Sequence, residues 1–243
     1  MMRLDIAGDA RRILDVVKAG GVCVFPTDVG YAGVGGCEAA LMRFFRAKGR
    51  GAHKRNAMLG SLAIHDEVHD MPARAREMIR ALVLDHDLPI SAIGPFRADH
   101  PLPRALEPQA LAASTENGTL AILMNVGALE GEMARLALEE NQPLFGSSAN
   151  LTGTGTKFRA QDVQAPIRDC ADLVIDYGLG KYHPYRRSST MIDFTTMEVV
   201  RIGACYELIQ DVLRRHFGVE LPPDPGLEAL PSGHTRAVQQ VHV

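Results

Sequence analysis

The chain has 243 residues, of which 46% are hydrophobic and 23% are charged, and 26 Lys and Arg stand against 29 Asp and Glu. This composition is that of a globular protein, and the length allows one sizeable domain or, at a stretch, two small ones. The net charge of −3 excludes a chain that is basic over its whole surface, so any contact with phosphate or nucleic acid must come from a local patch.

The cysteines and the apolar runs indicate a cytoplasmic protein. Cys23, Cys37, Cys170 and Cys205 form no CxxC pair, which is typical of free thiols in a reducing compartment. The N-terminal residues lack the apolar segment of a signal peptide, and no apolar run approaches the roughly 20 residues of a membrane span. We therefore expect cytoplasmic localisation and no membrane contact.

In chain order, the pattern predicts a first helix that is capped by Asp9 and stopped by Gly20 and Gly21, then a buried strand at 22–25. Further helices are predicted at 38–48, 74–86, 131–141 and 205–217, and further strands at 58–64, 119–125, 143–147, 172–176, 190–193 and 198–201. Because strands and helices are interspersed throughout, we predict an α/β fold with a twisted open sheet of mixed parallel and antiparallel strands and flanking helices.

Two Pro-rich segments lie outside these elements. Residues 94–118 are predicted to form a long loop, a feature that often serves as a lid or a binding loop. Residues 219–243 have no hydrophobic period and are predicted to be a tail that lies over the surface or is disordered. We therefore divide the chain into a domain at 1–218 and a Pro- and Gly-rich tail at 219–243.

The first predicted strand runs into Pro26, Thr27 and Asp28, with Tyr31 and several glycines behind them. Small polar side chains at the carboxyl end of a strand lie where open α/β sheets collect ligands. An ordinary Asx-type turn explains the same residues, and on this segment alone we favour the turn. The glycines fit neither GxGxxG nor GxxxxGK[ST], so neither the dinucleotide nor the P-loop pattern applies.

A basic run without any acidic residue follows between residues 39 and 65. Its cations are Arg43, Arg46, Lys48, Arg50, Lys54 and Arg55. Lys48 and Arg50 lie at the expected helix end, where cations complement the helix dipole. A solvated helix end and a contact to polyphosphate or RNA backbone explain this pair about equally well, whereas for the two arginines within the helix we favour the solvated face.

Two hydroxyl-rich regions follow later strands. Residues 146–156, GSSANLTGTGT, can present several N–H and O–H donors to an anion, and a flexible surface loop is the alternative. Residues 186–193, RRSSTMID, and residues 201–203, RIG, again gather guanidinium groups and hydroxyls beside short strands.

His65 and His69 have the spacing of metal ligands on one helix face. The segment is not HExxH and offers no evident third ligand. We therefore predict a solvated turn here and no metal site.

In this order, the segments resemble the YrdC family. The family pattern is a PTDTVYGL-type strand end, a KxR segment, a SANxSG loop, an EST[VI]xD strand and a final RxG. This chain has PTDVGYAG, KGR, SSANLTGTGT, SSTMID and RIG, over roughly residues 10–217. The resemblance implies the YrdC-like fold with a concave basic ligand face.

The activity that the resemblance implies depends on ATP. Threonine and bicarbonate give N-carboxythreonine, whose carboxylate attacks the α-phosphate of ATP, and the products are pyrophosphate and L-threonylcarbamoyladenylate for the t6A modification of tRNA. Magnesium would arrive with the ATP. This chemistry needs positioning and cations more than acid–base groups, which suits a site of Lys, Arg, Ser, Thr and Asn side chains.

Carried over to this sequence, the resemblance implies a nucleotide site and an amino-acid site. The nucleotide site comprises Lys48, Arg50, Asn56, Ser148, Asn150, Thr156, Ser189 and Arg201. Lys48 and Arg50, which match KxR, are also the implied catalytic residues. The implied substrate-binding residues are Thr27, Val29, Ser61 and Gly146.

The amino-acid side departs from the family pattern. Val29 replaces the second threonine of PTDT, and Ser61 stands near the place of the family's histidine. The arginine of the VRVP strand, which would hold the substrate carboxylate, is absent from residues 121–125, and the WPGPLT segment is reduced to residues 93–96. Because a site that has lost its polar partners binds the same substrate poorly, we expect threonine-dependent pyrophosphate release to be weak while ATP still binds.

Two other hypotheses stay open. The chain could be a YrdC-fold enzyme that uses a different carbamoyl or carboxylate donor, since relatives of this fold use carbamoyl phosphate. It could instead be a non-catalytic RNA-binding module that uses the basic segments at 43–55 and 181–187. Binding to RNA would then be weak, without sequence preference and steeply dependent on salt.

Overall fold

The computed structural model describes residues 4–49 and 55–235. Its helices are α1 (Ile6–Lys18), α2 (Glu38–Ala47), α3 (Leu62–Val68), α4 (Ala73–Arg80), α5 (Pro101–Arg104), α6 (Pro108–Ser114), α7 (Ala128–Glu139), α8 (Ala165–Asp169) and α9 (Tyr206–Phe217). Its strands are β1 (Val22–Thr27), β2 (Gly30–Gly35), β3 (Ala57–Leu59), β4 (Ile90–Pro95), β5 (Thr115–Glu116), β6 (Thr119–Met124), β7 (Phe145–Ser148), β8 (Leu173–Val174), β9 (Thr190–Asp193) and β10 (Glu198–Arg201).

The strands form one mixed sheet in the order β10-β9-β4-β6-β3-β7-β2-β1-β8, with β5 paired to β6. The pairs β3–β6, β4–β9 and β1–β8 are parallel, and the other neighbours are antiparallel. The predicted α/β fold, an open mixed sheet with flanking helices, is confirmed.

The sheet curls strongly. Three strands separate β1 from β6 in the sheet order. Even so, the N–H of Asp28, directly after β1, donates to the carbonyl of Val126, just after β6, at 2.7 Å. Because neighbouring strands lie about 4.8 Å apart, such a contact requires pronounced twist and coiling. The curl therefore brings the turn after β1 to the end of β6.

Helices cover both faces of the sheet, but unevenly. One apolar cluster joins α1 and α7 to β1, β2 and β3, while the larger cluster joins α2, α3, α4 and α9 to the opposite face. On the face that α1 and α7 share, the side chains of Ile93, Leu123, Met191 and Asp193 are only half-buried, and strand register places Arg201 beside Met191. The side chains on this half of the sheet are therefore partly open to solvent on that face.

Residues 219–235 lie against the domain. Arg187, which is only 4% exposed, donates to Asp224 at 2.7 Å and to the carbonyls of Gly226 and Leu230 at 2.9 and 2.6 Å. The N–H of Ile202 donates to the carbonyl of Gly233 at 2.8 Å. A buried guanidinium therefore holds residues 219–235 on the surface of the domain.

Several element boundaries differ from the prediction. Asp5, not Asp9, caps α1 by accepting from the N–H of Gly8 at 3.0 Å. The predicted strand at 58–64 ends after Leu59, because Ser61 accepts from the N–H of Ile64 at 3.3 Å and so begins α3. A serine that caps a helix stops a strand at once.

The segment at 94–118, predicted to be one long loop, contains the end of β4, two short helices and β5. Pro101 and Pro108 stand in the first turns of α5 and α6. Proline favours that position because its missing N–H is not needed there. The same prolines that suggested a loop therefore mark helix starts.

Strand β2 was not predicted, because a segment rich in glycine lacks the apolar pattern of a strand. A Cβ atom on Gly33 would lie 2.4 Å from the Phe44 ring, and one on Gly35 would lie 3.0 Å from the backbone of α2. The glycines thus allow α2 to pack closely on the strand.

Candidate active site

Lys48 and the 146–156 loop come together. Lys48 ends α2, is 2% exposed, and its ammonium donates to the carbonyls of Ser148 and of Asn150, the latter at 2.8 Å. The Ser148 hydroxyl donates to the side-chain oxygen of Asn150, whose amide donates to the carbonyl of Leu151 at 2.6 Å. In this structure Lys48 therefore fixes the loop through its carbonyls, and the hydroxyl and amide groups of the loop are ordered around it.

The glycines of this region allow unusually close contacts. A Cβ atom on Gly146 would lie 2.0 Å from the carbonyl oxygen of Gly33, so only glycine fits between β7 and β2 there. A Cβ atom on Gly30 would lie 2.2 Å from the methyl group of Thr156. Gly146 and Thr156 therefore tie the loop to the β1–β2 hairpin.

The other implied substrate residues also have structural contacts. The Thr27 hydroxyl donates to the carbonyl of Gly30 at 2.5 Å, and Val29 is 2% exposed within the larger apolar cluster. Ser61 caps α3. Each of these three side chains thus contributes to the local fold, and Thr27 lies next to Asp28, whose backbone meets the end of β6.

Asn56 lies just before β3 and is 2% exposed. Its amide nitrogen lies 3.3 Å from the Ser114 hydroxyl, whereas its side-chain oxygen is buried without a hydrogen-bond partner. A buried acceptor without a donor costs free energy, and such a group commonly marks a ligand or water position.

Ser189 and Arg201 form a second polar centre. The Arg201 guanidinium donates to the carbonyl of Ser189 at 2.8 Å and to its hydroxyl at 2.9 Å, and that hydroxyl lies 2.9 Å from the hydroxyl of Ser91. None of the ion pairs formed by residues 4–49 and 55–235 includes Arg201. Burial lowers the pKa of Arg201 to about 10. The centre is therefore a fixed cation with remaining donor capacity and without a carboxylate.

The glycine of the RIG segment makes this centre possible. A Cβ atom on Gly203 would lie 2.2 Å from the carbonyl oxygen of Ser188, and the N–H of Gly203 donates to the Thr190 hydroxyl at 3.1 Å. The chain after β10 can thus pass directly over the start of β9, which holds Arg201 against Ser189.

Two arginines of the basic run are engaged by carboxylates and are therefore less available to bind phosphate. Arg43 pairs with Asp172, and Arg55 lies 3.9 Å from Glu116, while Arg46 is exposed. The predictions for Arg50 and for Lys54 lie outside the described residues.

The prediction of a solvated turn at His65 and His69 is wrong. Both side chains are fully buried, their Nδ1 atoms lie 2.7 Å apart, and Nε2 of His69 lies 3.1 Å from the carbonyl oxygen of Leu120. Burial lowers the pKa of His65 to about 4 and that of His69 to about 3, so both rings are neutral at pH 7. They form part of the core, since α3 packs its face against β6. Among the described residues, no group of three or more His, Cys, Asp or Glu side chains is arranged for a metal ion.

Sequence reasoning missed Glu130. This residue in the first turn of α7 is 2% exposed, and its Oε1 atom has no hydrogen-bond partner. Burial raises the pKa of its carboxyl well above the ordinary value, and the charge of Asp28 acts in the same direction. Its position was no guide, because the predicted helix begins only at residue 131 and an acidic side chain at a helix start is usually exposed.

The fold and these groups define a class of protein: an α/β protein whose strand ends hold hydroxyl, amide and guanidinium donors suited to a phosphate-bearing ligand. The family model for Sua5, YciO and YrdC proteins, described as telomere recombination, matches residues 15–203. The chain therefore belongs to the Sua5/YciO/YrdC family.

Solved structures show the same fold. P. abyssi Sua5 complexed with L-threonine superposes with a TM-score of 0.71 at 20% identity, over 91% of this chain and 61% of that chain. The hypothetical protein smu.1377c from Streptococcus mutans gives 0.70 at 21% identity, over 86% and 92%. E. coli YciO gives 0.62 at 19% identity, over 81% and 90%.

This chain spans only 57–61% of the length of the P. abyssi Sua5 chains. No curated protein matches it at a significant level. Within residues 4–49 and 55–235, none of the helices has the length and apolar character that crossing a bilayer requires.

Proposed function

We propose that this chain is a nucleotidyltransferase that uses ATP to make a carbamoyl-adenylate, by default L-threonylcarbamoyladenylate from threonine, bicarbonate and ATP for tRNA modification. A carboxylate oxygen of the carbamate formed from amine and bicarbonate attacks the α-phosphorus. The bond from that phosphorus to the bridging oxygen of the β-phosphate breaks, and pyrophosphate leaves. Family membership supports the class of reaction.

The observation that carries this proposal is the centre formed by Arg201 and Ser189. A partly buried guanidinium is expensive to keep without a counter-charge, and here two bonds to Ser189 hold it rigidly. A phosphate group supplies the missing negative charge and accepts the remaining donors. Electrostatic stabilisation by such a prearranged cation is the main requirement of a reaction with charge on phosphoryl oxygens.

The loop around Lys48 would serve the same nucleotide. Its hydroxyl and amide groups are ordered by the Lys48 ammonium, so few side-chain rotamers have to be fixed on binding. The buried acceptor oxygen of Asn56 adds a place for a donor group of the ligand. We therefore assign Lys48 to the support of the loop as well as to the charge of the site.

Magnesium would be held by the phosphate oxygens of ATP, which are the hard ligands that this cation prefers. When bound, it neutralises part of the phosphate charge. The part that the described residues play is to orient the nucleotide through Ser148, Asn150, Ser189 and Arg201.

A pyrophosphate-release assay with ATP, bicarbonate and a panel of small amino acids tests the proposal. We expect release that depends on bicarbonate and on at least one amino acid, and that Arg201→Met reduces strongly. Release that needs neither bicarbonate nor an amino acid would contradict the proposal.

A second candidate is a related enzyme that takes a preformed carbamoyl donor. It is favoured by the lack of an arginine in β6 and by the likeness of the fold to HypF in its phosphate- and nucleotide-bound form, with a TM-score of 0.56 at 14% identity. Replacement of bicarbonate by carbamoyl phosphate in the same assay separates the two candidates, because the second needs carbamoyl phosphate.

A further inference from the structure

The segment after β8 lies directly on the turn that follows β1. The N–H of Tyr182 donates to the carbonyl of Asp28 at 2.8 Å, and a Cβ atom on Gly180 would lie 3.4 Å from the carbonyl oxygen of Thr27. The N–H of Gly180 donates to the carbonyl of Phe158 at 2.8 Å. These are backbone contacts, so the position of the segment does not depend on its side chains.

This placement brings Lys181 to the implied amino-acid site. Its ammonium lies 3.5 Å from Oδ2 of Asp28 and 4.8 Å from the centroid of the Tyr182 ring. The Lys181 side chain is 56% exposed, and that of Asp28 is 28% exposed. An exposed ion pair contributes only about 0–1 kcal/mol, so little is lost when a ligand separates the two charges.

The end of β6 lies at the same place. The carbonyl of Val126 accepts from the N–H of Asp28 at 2.7 Å, and the half-buried Leu123 faces the open half of the sheet. Residues 119–124 contain no cation. The one described cation within ion-pair distance of the Thr27–Asp28 turn is therefore on the segment after β8 and not on β6.

Glu130 lies close enough to Asp28 for the charge of Asp28 to act on it. Burial and that charge both raise the pKa of Glu130, which favours its uncharged form. Lys181 and Asp28 carry one charge of each sign and lie 3.5 Å apart. An α-amino acid carries the same two charges at a similar separation.

We propose that Lys181 and Asp28 form the receptor for the charged head of the acceptor amino acid, in which Lys181 binds its carboxylate and Asp28 faces its amino group. This inference rests on the proposed function for the location of the acceptor, and it makes Lys181 the residue that selects a free carboxylate. The acceptor class is then a small α-amino acid and not an amine or an amide.

The test compares the binding of L-threonine, serine, alanine and glycine with that of their carboxamides, by calorimetry or NMR titration, on the full chain. We expect the intact protein to bind at least one of these amino acids about tenfold or more tightly than its amide, which is the effect of one charge-assisted contact. Lys181→Met should abolish that ratio, and Lys181→Arg should retain most of it. Lys18→Met, at an exposed lysine of α1, is the matched control and should behave like the intact protein.

Survival of the carboxylate preference in Lys181→Met would overturn the inference, as would the lack of any preference in the intact protein. Pyrophosphate release, measured in the same samples, keeps the two proposals apart. A preference that depends on Lys181 without pyrophosphate release would support the receptor and contradict the proposed reaction. If pyrophosphate release and the carboxylate preference were both unchanged in Lys181→Met, the receptor would be contradicted and the proposed reaction supported.

Discussion

Replacement of Arg201 by methionine tests the nucleotide site most sharply. Methionine keeps much of the apolar stem but removes the two bonds to Ser189 and the positive charge. Ser189 is fully buried, so its carbonyl loses a donor that water does not replace. The cost to the free energy of unfolding should be about 1–3 kcal/mol.

The affinity for ATP should fall in addition to this loss of stability. A charge-assisted contact to phosphate contributes about 1.5–3 kcal/mol, which corresponds to a Kd for ATP that rises about 10- to 150-fold. Arg201→Lys keeps the charge, but an ammonium cannot make both bonds to Ser189 and also a bidentate contact to the phosphate. Its Kd for ATP should therefore lie between those of the intact protein and Arg201→Met.

Calorimetric titration with ATP and magnesium measures the Kd, and urea unfolding measures the stability. Arg215→Met is the control, because Arg215 is exposed on α9 and pairs only with Asp211 among the described residues. If Arg201→Met lost stability but kept the Kd for ATP, Arg201 would be a structural residue and would not belong to a nucleotide site.

Three further outcomes are expected. Lys48→Met leaves the carbonyls of Ser148 and Asn150 without their donor, so the free energy of unfolding should fall by about 1–3 kcal/mol for each carbonyl. The affinity for ATP should fall too. An unchanged urea midpoint together with an unchanged Kd would contradict the assignment of Lys48 to the loop. Arg187→Met should speed proteolysis within residues 219–235, and cleavage as slow as in an exposed-site variant, Arg186→Met, would show that other contacts hold the tail. The buried His65 and His69 are neutral in the folded state and take up protons on unfolding. Their full contribution to the free energy of unfolding should therefore be present above about pH 6.5. As the pH drops toward 4, that free energy should fall by about 1.4 kcal/mol per pH unit for each ring.

The histidine measurement needs one precaution. The raised pKa of Glu130 acts in the opposite sense, because protonation on acidification favours the folded state. Urea unfolding at pH 7.5 and pH 5 should therefore be compared in Glu130→Gln with and without His65→Leu. Equal pH dependence in both proteins would show that His65 does not carry the acid sensitivity.

The RNA-binding alternative is weakened but still testable. Arg43 and Arg55 pair with carboxylates, which reduces the charge that the run can offer to a phosphate backbone. Retention on RNA at low salt, with a steep loss as salt rises, would favour that module.

The fold could be predicted from the sequence because hydrophobic patterning and turn residues agreed in most elements. β9 and β10 have the bounds that were expected, since alternation and the turn at Thr195 and Thr196 mark both of them. Gly-rich β2 and the helices that begin at Pro101 and Pro108 were missed. In those places glycine and proline serve packing and helix starts, which only tertiary contacts distinguish from loops.

The candidate site was predictable where a motif is local. Ser148 with Asn150, and Ser189 with Arg201, meet as their segments suggested. The contact between Asp28 and Lys181 was not predictable, because it depends on the curl of the sheet and on a segment some 150 residues away.

Mass spectrometry of the nucleotide product tests the proposed reaction itself. The intact protein is incubated with ATP, magnesium, ¹³C-labelled bicarbonate and the panel of small amino acids. We expect an adenylate that contains one labelled carbon and one amino acid, formed together with pyrophosphate. The recovery of only unreacted ATP with every amino acid, or of an adenylate without the label, would contradict it.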